Sequence, residues 1–173
     1  MSSIFLTLIH DKNEMNGVAE LLEVMGAVIK GLAVPLKPEH FQWMHKILIP
    51  LHSAPGYLSF CGQLSYCIVQ LVSKDPKLSI PTVKGLLKCW PLTDSAREVQ
   101  ILNQMEELLS VIQKEQFLTV QVDFFHRVGQ SVASLHFQVA ERALQMWGNK
   151  IFKEHIRESM PVAMPILLPY IFR

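Results

Sequence analysis

The amino-acid sequence predicts an all-α fold built from antiparallel helix pairs, and three observations support this prediction. Apolar residues recur at steps of three and four nearly throughout the chain. No stretch alternates apolar and polar residues between Asn/Gly turns, as a strand would. The starts of the predicted helices repeat at intervals close to 40 residues. A period of that length is typical of a HEAT/armadillo-like solenoid, here with about four helix pairs.

The helices can be placed from their apolar spacing and from their start and stop residues. The first lies in NGVAELLEVMGAVIKGL, residues 16–32, where Asn16 can cap the start and Gly31 can loosen the end. The second lies in LKPEHFQWMHKILIPLH, residues 36–52, with Pro38 in its first turn and Pro50 near its end. Further helices are expected at about residues 57–73, 78–89, 96–112, 114–130, 135–147, 149–157 and 160–172.

The predicted helices repeat in pairs. The first members are spaced by 41, 39 and 40 residues and begin near Gly17, Leu58, Arg97 and Phe137. The second members begin near Pro38, Pro81, Gln116 and Pro161. Pro38 and Pro81 are 43 residues apart, and Pro81 and Pro161 are 80 apart, which is two steps of 40. A non-repeating helical bundle with coincidental spacing is the alternative interpretation.

We expect residues 1–173 to form a single HEAT-like repeat domain that is an internal section of a longer solenoid. Terminal repeats of a solenoid need a polar outer face. This chain instead begins inside an apolar segment, Ile4 to Ile9, and stops after VAMPILLPYIFR. A naturally short solenoid is the alternative.

Composition and charge exclude several classes of partner. Hydrophobic residues make up 50% of the chain and charged residues only 18%, so much apolar surface must be buried or must contact a partner. The net charge of +1 lacks the basic excess that non-specific nucleic-acid binding needs. Residues 53–73 are uncharged and long enough to span a bilayer, but Pro55, Gly56 and several polar residues interrupt them. We therefore expect no nucleic acid and no membrane among the partners.

The cysteines and histidines do not form the pattern of a catalytic or metal site. His40 and His45 are five residues apart and do not share a helix face, and HExxH, GxSxG and Walker motifs are absent from the sequence. Cys89 precedes Trp90 and Pro91, where a core cysteine is favoured over a reactive thiol. We expect no cofactor, no metal and no catalytic residue. The odd number of cysteines indicates reduced thiols, in the cytoplasm or the nucleus. An enzyme with an unrecognised cysteine or histidine site is the remaining alternative.

Five segments of the sequence resemble the B-prime family of regulatory subunits of protein phosphatase 2A. They are NGVAELLEVMGAVIKGLAVPLKPEH (16–40), ILIPLH (47–52), QLSYCIVQLVSKDPKL (63–78), GLLKCWPLTDSAREV (85–99) and HFQVAERAL (136–144). The resemblance implies a HEAT-like solenoid without chemistry of its own. It also implies docking on the phosphatase scaffold and catalytic subunits, and a groove that binds short LxxIxE peptides of substrates.

The same resemblance places part of the peptide groove on this chain. Apolar groove residues correspond to Leu22, Val24 and Val28, and basic ones to Lys37 and His40. Val24 and Val28 are four apart and share a helix face. Lys37 and His40 stand at a helix start, where unpaired N–H groups favour an acidic partner. The alternative is that the valines belong to the core and that the lysine is simply solvated.

The predicted groove departs from the family pattern in two ways. The family carries isoleucine at both valine positions. It also has a preceding helix, with groove histidine, arginine and tyrosine residues, that has no counterpart before Met1. We therefore expect weak binding of LxxIxE peptides. A truncated helical-repeat interaction module that does not form a phosphatase holoenzyme is the alternative function.

Two further expectations concern the second half of the chain. Candidate phosphatase contacts are Asp94, Arg97, Glu98, Glu141 and Arg142. The segment HFQVAERAL is predicted to form an inter-repeat core helix. Its buried residues are expected to be Phe137, Val139, Ala140, Ala143 and Leu144.

Overall fold

The computed structural model describes residues 17–172, which form helices and turns without a strand. The helices are α1 (Val18–Gly31), α2 (Pro38–Trp43), α3 (Ile49–Leu51), α4 (Tyr57–Lys74), α5 (Ser79–Lys88), α6 (Ser95–Leu109), α7 (Lys114–Val132), α8 (Phe137–Gln145), α9 (Lys150–Glu158) and α10 (Met160–Ile171). A π-helical turn, Met44–Leu48, joins α2 to α3 ahead of Pro50. The all-α prediction is confirmed. The predicted cap Asn16 and the apolar segment Ile4 to Ile9 lie outside the described residues.

The chain divides into two compact units, Met1–Cys89 and Trp90–Arg173. In the first unit, α1 packs against α4, and α3 packs against α5. The residues that close the α1–α4 contact are fully buried and include Leu22, Ile29, Phe60, Leu64 and Ile68. The prediction of one repeat domain over residues 1–173 stays a prediction.

Gly26 of α1 faces α4 at close range. A Cβ atom placed there would lie 2.9 Å from the ring of Tyr66 and 3.5 Å from Sγ of Cys67. Glycine at this position therefore allows the two helices to approach. The buried stripe of α1, which recurs at helical spacing, consists of Val18, Leu22, Met25 and Ile29.

In the second unit, α7 packs against α10, and α6 packs against α8 and α9. Its core contains edge-to-face rings, with Phe117, Phe124 and Phe125 separated by 5.6 to 5.8 Å between centroids. Phe152 of α9 joins them and is fully buried. Such ring pairs stabilise a core beyond the burial of their area.

Within each unit, polar contacts between helices join residues about one repeat apart. Gln63 and Glu23 are separated by 40 positions, and Asn103 and Arg142 by 39. Lys74 and the carbonyl of Leu32 are separated by 42. Equivalent helices of successive pairs therefore lie side by side inside each unit, as the period of the sequence predicts.

The burial pattern of α8 differs from the prediction in one respect. Val139 and Ala143 are fully buried, as expected, but Phe137 and Leu144 are 71% and 52% exposed, and Ala140 is half-buried. The prediction for Phe137 and Leu144 was wrong because α8 carries apolar residues on both of its faces. Val139, Ala143 and Met146 form the inward stripe, while Phe137 and Leu144 share the outward one.

The stretch at 53–73 falls mostly in α4. In residues 17–172 we find no helix that combines the length and the apolar character needed to cross a membrane.

Candidate functional site

The outer face of α1 carries two of the three predicted apolar site residues. Val24 is 54% exposed and Val28, one turn later, is half-buried. Ala27 and Gly31 lie beside them and are exposed, so these four positions carry no charge, while the exposed Glu20, Glu23 and Lys30 border them. Leu22 is fully buried in the core. It can support this face from beneath, but its side chain does not belong to it.

Lys37 and His40 are brought together at the start of α2. The backbone N–H of Lys37 donates to Nδ1 of His40 over 3.2 Å. The His40 ring is buried and packs on Trp43, with 4.9 Å between ring centroids. A ring that accepts at Nδ1 carries its proton on Nε2 in the neutral form. His40 therefore holds the first turn of α2, while the side chain of Lys37 extends into solvent.

The connection between α1 and α2 is held by a residue that the sequence analysis missed. Nζ of Lys74, at the end of α4, donates to the carbonyl oxygen of Leu32 over 2.7 Å. Leu36, just before Lys37, is buried. A lysine near a helix C-terminus often binds free carbonyl groups, but here the carbonyl belongs to another helix pair. The outer face of α1 with Val24 and Val28, which we call the valine face, and the Lys37–His40 pair are thus held within the same unit.

Beneath the valine face, a thiol ties α4 to α1. Sγ of Cys67 donates to the carbonyl oxygen of Leu22 over 3.1 Å. Burial raises the pKa of Cys67 to about 12, so the thiol stays protonated at neutral pH. This cysteine is therefore a core residue and not a nucleophile.

Three of the candidate phosphatase contacts bind within their own unit. The Asp94 carboxylate accepts a hydrogen bond from the backbone N–H of Arg97 over 3.0 Å and thereby caps the start of α6. The same carboxylate forms an ion pair with the Arg97 guanidinium. The Glu98 carboxylate accepts from Nε1 of Trp90 over 2.8 Å and from Oγ of Ser131 over 3.0 Å. These contacts give Asp94, Arg97 and Glu98 structural roles within the chain.

Arg142 is the centre of a polar cluster that we call the Arg142 clamp, formed by Arg142, Asn103, Glu106 and Asn149. The guanidinium donates to Oδ1 of Asn103 and pairs with the Glu106 carboxylate. Nδ2 of Asn149 donates to the same carboxylate over 2.6 Å. Oδ1 of Asn149 also accepts from the N–H of Ile151 over 2.8 Å, which caps α9. The clamp therefore joins α6, α8 and the start of α9.

Arg142 was predicted from the sequence as a contact residue, but its three partners in the clamp were not. The remaining candidate contact, Glu141, is exposed and accepts only a 3.5 Å bond from Gln145. Among the five candidate phosphatase contacts, Glu141 therefore has the charged group that is most available to another protein.

No group of three His, Cys, Asp or Glu side chains that could hold a metal ion occurs between residues 17 and 172. The cysteines at 61, 67 and 89 are free thiols. Glu106 and Glu107, which are adjacent in the sequence, do not act as a pair, since Glu106 is engaged in the Arg142 clamp.

Comparison with known proteins identifies the family. Over residues 1–173 the chain matches the sequence profile of the family described as protein phosphatase 2A regulatory B subunit, B56 family. It is 44% identical over 173 residues to the alpha isoform of the 56 kDa regulatory subunit of serine/threonine-protein phosphatase 2A from Homo sapiens, covering 100% of this chain and 36% of that protein. The beta isoform from Mus musculus is 44% identical over 170 residues, covering 98% of this chain and 34% of the relative.

A fungal relative gives the same result. The delta 2 isoform from Schizosaccharomyces pombe is 39% identical over 173 residues, covering 100% of this chain and 28% of that protein. The chain spans about a third of the length of these curated relatives. The resemblance inferred from the sequence segments is confirmed, and the chain belongs to the B56 family of protein phosphatase 2A regulatory B subunits.

Proposed function

We propose that the protein acts as a non-catalytic regulatory subunit of protein phosphatase 2A. In this role it binds the scaffold and catalytic subunits and brings substrates to the metal-dependent catalytic subunit. Family membership over all 173 residues is the observation that carries the proposal, since its relatives are named regulatory subunits. Free cysteines fit a reducing compartment, and we place the protein in the cytoplasm or the nucleus.

The outer face of α1 and the start of α2 form the surface that we propose for LxxIxE-type peptides. Val24 and Val28 offer an uncharged face for an apolar peptide side chain. The ammonium group of Lys37 has no ion-pair partner among residues 17–172 and is free to pair with the peptide's glutamate. The bond from Lys37 to His40 fixes the backbone from which that ammonium group extends.

A second candidate function is a peptide-binding module that does not form a holoenzyme. The intramolecular bonds of Asp94, Glu98 and Arg142 favour it, because carboxylates and guanidinium groups already satisfied inside the chain gain less from a partner. Of the five candidate contacts, Glu141 is the one left for the phosphatase subunits if a holoenzyme does form.

Co-purification with purified scaffold and catalytic subunits distinguishes the two functions. The first function predicts a stable ternary complex, and charge reversal in Glu141→Arg should weaken it. Glu154→Arg makes the same charge change at another exposed helical position and should leave the complex intact. Peptide binding without any recovery of the phosphatase subunits would support the second function and contradict the first.

A further inference from the structure

The second unit contains an open pocket that the proposed phosphatase role does not use. It has a volume of about 500 Å³ and lies between α7 and α10. The residues that line it are His126, Gln130, Pro165, Ile166, Pro169 and Tyr170. The α7 side supplies the imidazole and the amide, and the α10 side supplies proline rings, an isoleucine and a phenol. The walls are thus mainly flat apolar faces with a few polar atoms between them.

The phenol wall of this pocket is held in place. A Cβ atom at Gly129 would clash with the ring of Tyr170, so the ring rests directly on the α7 backbone. The Tyr170 hydroxyl is 3.5 Å from Nδ1 of His126, and the two rings stand edge to face. A wall fixed in this way loses little conformational entropy when a ligand binds.

The proline wall is rich in hydrogen-bond acceptors. Pro161, Pro165 and Pro169 recur every four residues and are exposed on one face of α10. Proline has no N–H, so Pro165 cannot donate to the carbonyl of Pro161, nor Pro169 to that of Pro165. Both carbonyl groups lack their usual helical donor, and that of Pro165, a residue of the pocket lining, can accept a bond from a ligand.

One acidic side chain on the α7 side of the pocket favours a cation over an anion. The lining contains no carboxylate, ammonium or guanidinium group. Asp123 is exposed on the same face of α7, one turn before His126. Arg127, the nearest guanidinium in sequence, packs over the Trp90 ring with 5.3 Å to its centroid, so its charge is engaged elsewhere.

From these features we infer that the pocket binds an arginine side chain of a partner protein. A guanidinium is planar, stacks on the faces of aromatic rings, is weakly hydrated and carries only donors, which suits the walls and the unpaired carbonyl groups. An aliphatic side chain would leave those acceptors unpaired, and a carboxylate would face acceptors and Asp123. This inference does not depend on the proposed phosphatase role.

Capped tripeptides test the site on the full chain by NMR. The probes are acetyl-Gly-X-Gly-amide with X as arginine, norleucine or glutamate, and the readout is the ring resonances of Tyr170, assigned with Tyr170→Phe. We expect the arginine probe to cause saturable shifts and to bind with about tenfold higher affinity than the norleucine probe. One charge-assisted hydrogen bond has an effect of this size. Equal binding of arginine and norleucine would reduce the site to an apolar cleft and overturn the inference. Preference for glutamate, or no shift with any probe, would do the same.

Two pairs of variants separate the acceptor and charge contributions. Pro169→Ala restores an N–H to the carbonyl of Pro165 and should abolish the preference for arginine, while Pro161→Ala, outside the pocket lining, should keep it. Gln130→Lys should lower the affinity for the arginine probe at least about fivefold, because like charges repel. Gln138→Lys makes the same change at an exposed position of α8 and should leave that affinity unchanged. If both members of either pair behaved alike, the inference would be wrong.

Discussion

The two units join successive helix pairs by different means. In the first unit, α1 and α4 meet through an apolar contact, with an exposed Gln63–Glu23 bond of 3.4 Å and two bonds from Cys67 and Lys74 that reach only backbone carbonyl groups. In the second unit, the Arg142 clamp ties α6, α8 and α9 together at positions where the two charged side chains are only 15% and 20% exposed. Apolar periodicity can therefore stack the repeats, whereas a clamp selects a particular register, because its donors and acceptors match in one arrangement only.

The comparison also gives structural roles to residues of HFQVAERAL, one of the five segments that resemble the family. Val139 and Ala143 of this segment are buried, and Arg142 is bonded inside the unit. These roles lie within the chain and do not require contact with a phosphatase subunit.

The largest expected effect separates the two faces of α8. Val139→Asp places an unpaired charge at a fully buried position and should cost about 3 to 5 kcal/mol in the free energy of unfolding. Phe137→Asp, at a 71% exposed position on the outward face, should change it by no more than about 0.5 kcal/mol. Urea denaturation followed by circular dichroism measures both. Equal losses would mean that the outward face is also part of a core.

Removing the centre of the clamp should cost somewhat less. Arg142→Met leaves the Glu106 carboxylate, which is largely buried, without its cation and should lower the free energy of unfolding by about 2 to 3 kcal/mol. Adding Glu106→Leu should recover much of that loss, because no unpaired charge remains. The corresponding change in the first unit, Gln63→Met, breaks an exposed bond and should have an effect within about 0.5 kcal/mol. A Gln63→Met loss as large as that of Arg142→Met would refute the contrast between the units.

Substitutions of helical glycines compare how tightly the helices approach in each unit. Gly129→Ala collides with the ring of Tyr170 and should destabilise the chain by about 1 to 3 kcal/mol. Gly26→Ala also collides with a ring, but it should cost less than Gly129→Ala, since Tyr66 is 44% exposed and can move away. Gly62→Ala meets nothing within 4 Å and should stabilise α4 by about 0.5 to 1 kcal/mol. The melting temperatures of the three variants check this order of stabilities. A Gly129→Ala protein as stable as the unsubstituted chain would contradict it.

The last effect is absent at neutral pH and is confined to alkaline pH. Burial raises the pKa of Cys67 from 9.0 to about 12, so the unfolded chain releases this proton before the folded chain does. The buried thiol therefore contributes to the free energy of unfolding. This contribution is complete below pH 9 and falls by about 1.4 kcal/mol for each pH unit as the pH rises towards 12. Cys67→Ala should remove that slope above pH 9 while leaving the slope near pH 7 unchanged. Denaturation curves at pH 7 and at pH 10 would detect it, and an unaltered slope would show that Cys67 does not cause the alkaline loss.

The helices were accessible to sequence reasoning because apolar spacing, proline and glycine act locally. The partners of Arg142 were not, since they lie 36 and 39 residues away and no local pattern pairs them. Apolar spacing also left open which stripe of α8 is buried, because both faces carry apolar residues. For the peptide surface, helical geometry already separates Leu22 from Val24, since residues two apart point in different directions. The family resemblance grouped them, and the structure places Leu22 in the core.

Recruitment of substrates, on which both proposed functions rest, depends most directly on the peptide surface of α1 and α2. Fluorescence polarisation with a labelled LxxIxE peptide should give saturable binding that is lost when the motif residues are replaced by alanine. Val24→Asp and Lys37→Glu should each weaken it at least about tenfold, in line with the loss of a contact worth more than 1 kcal/mol. Matched controls at exposed positions, Val122→Asp and Lys84→Glu, should leave it unchanged. Binding that ignores Val24 and Lys37, or an equal response to the alanine peptide, would contradict the account.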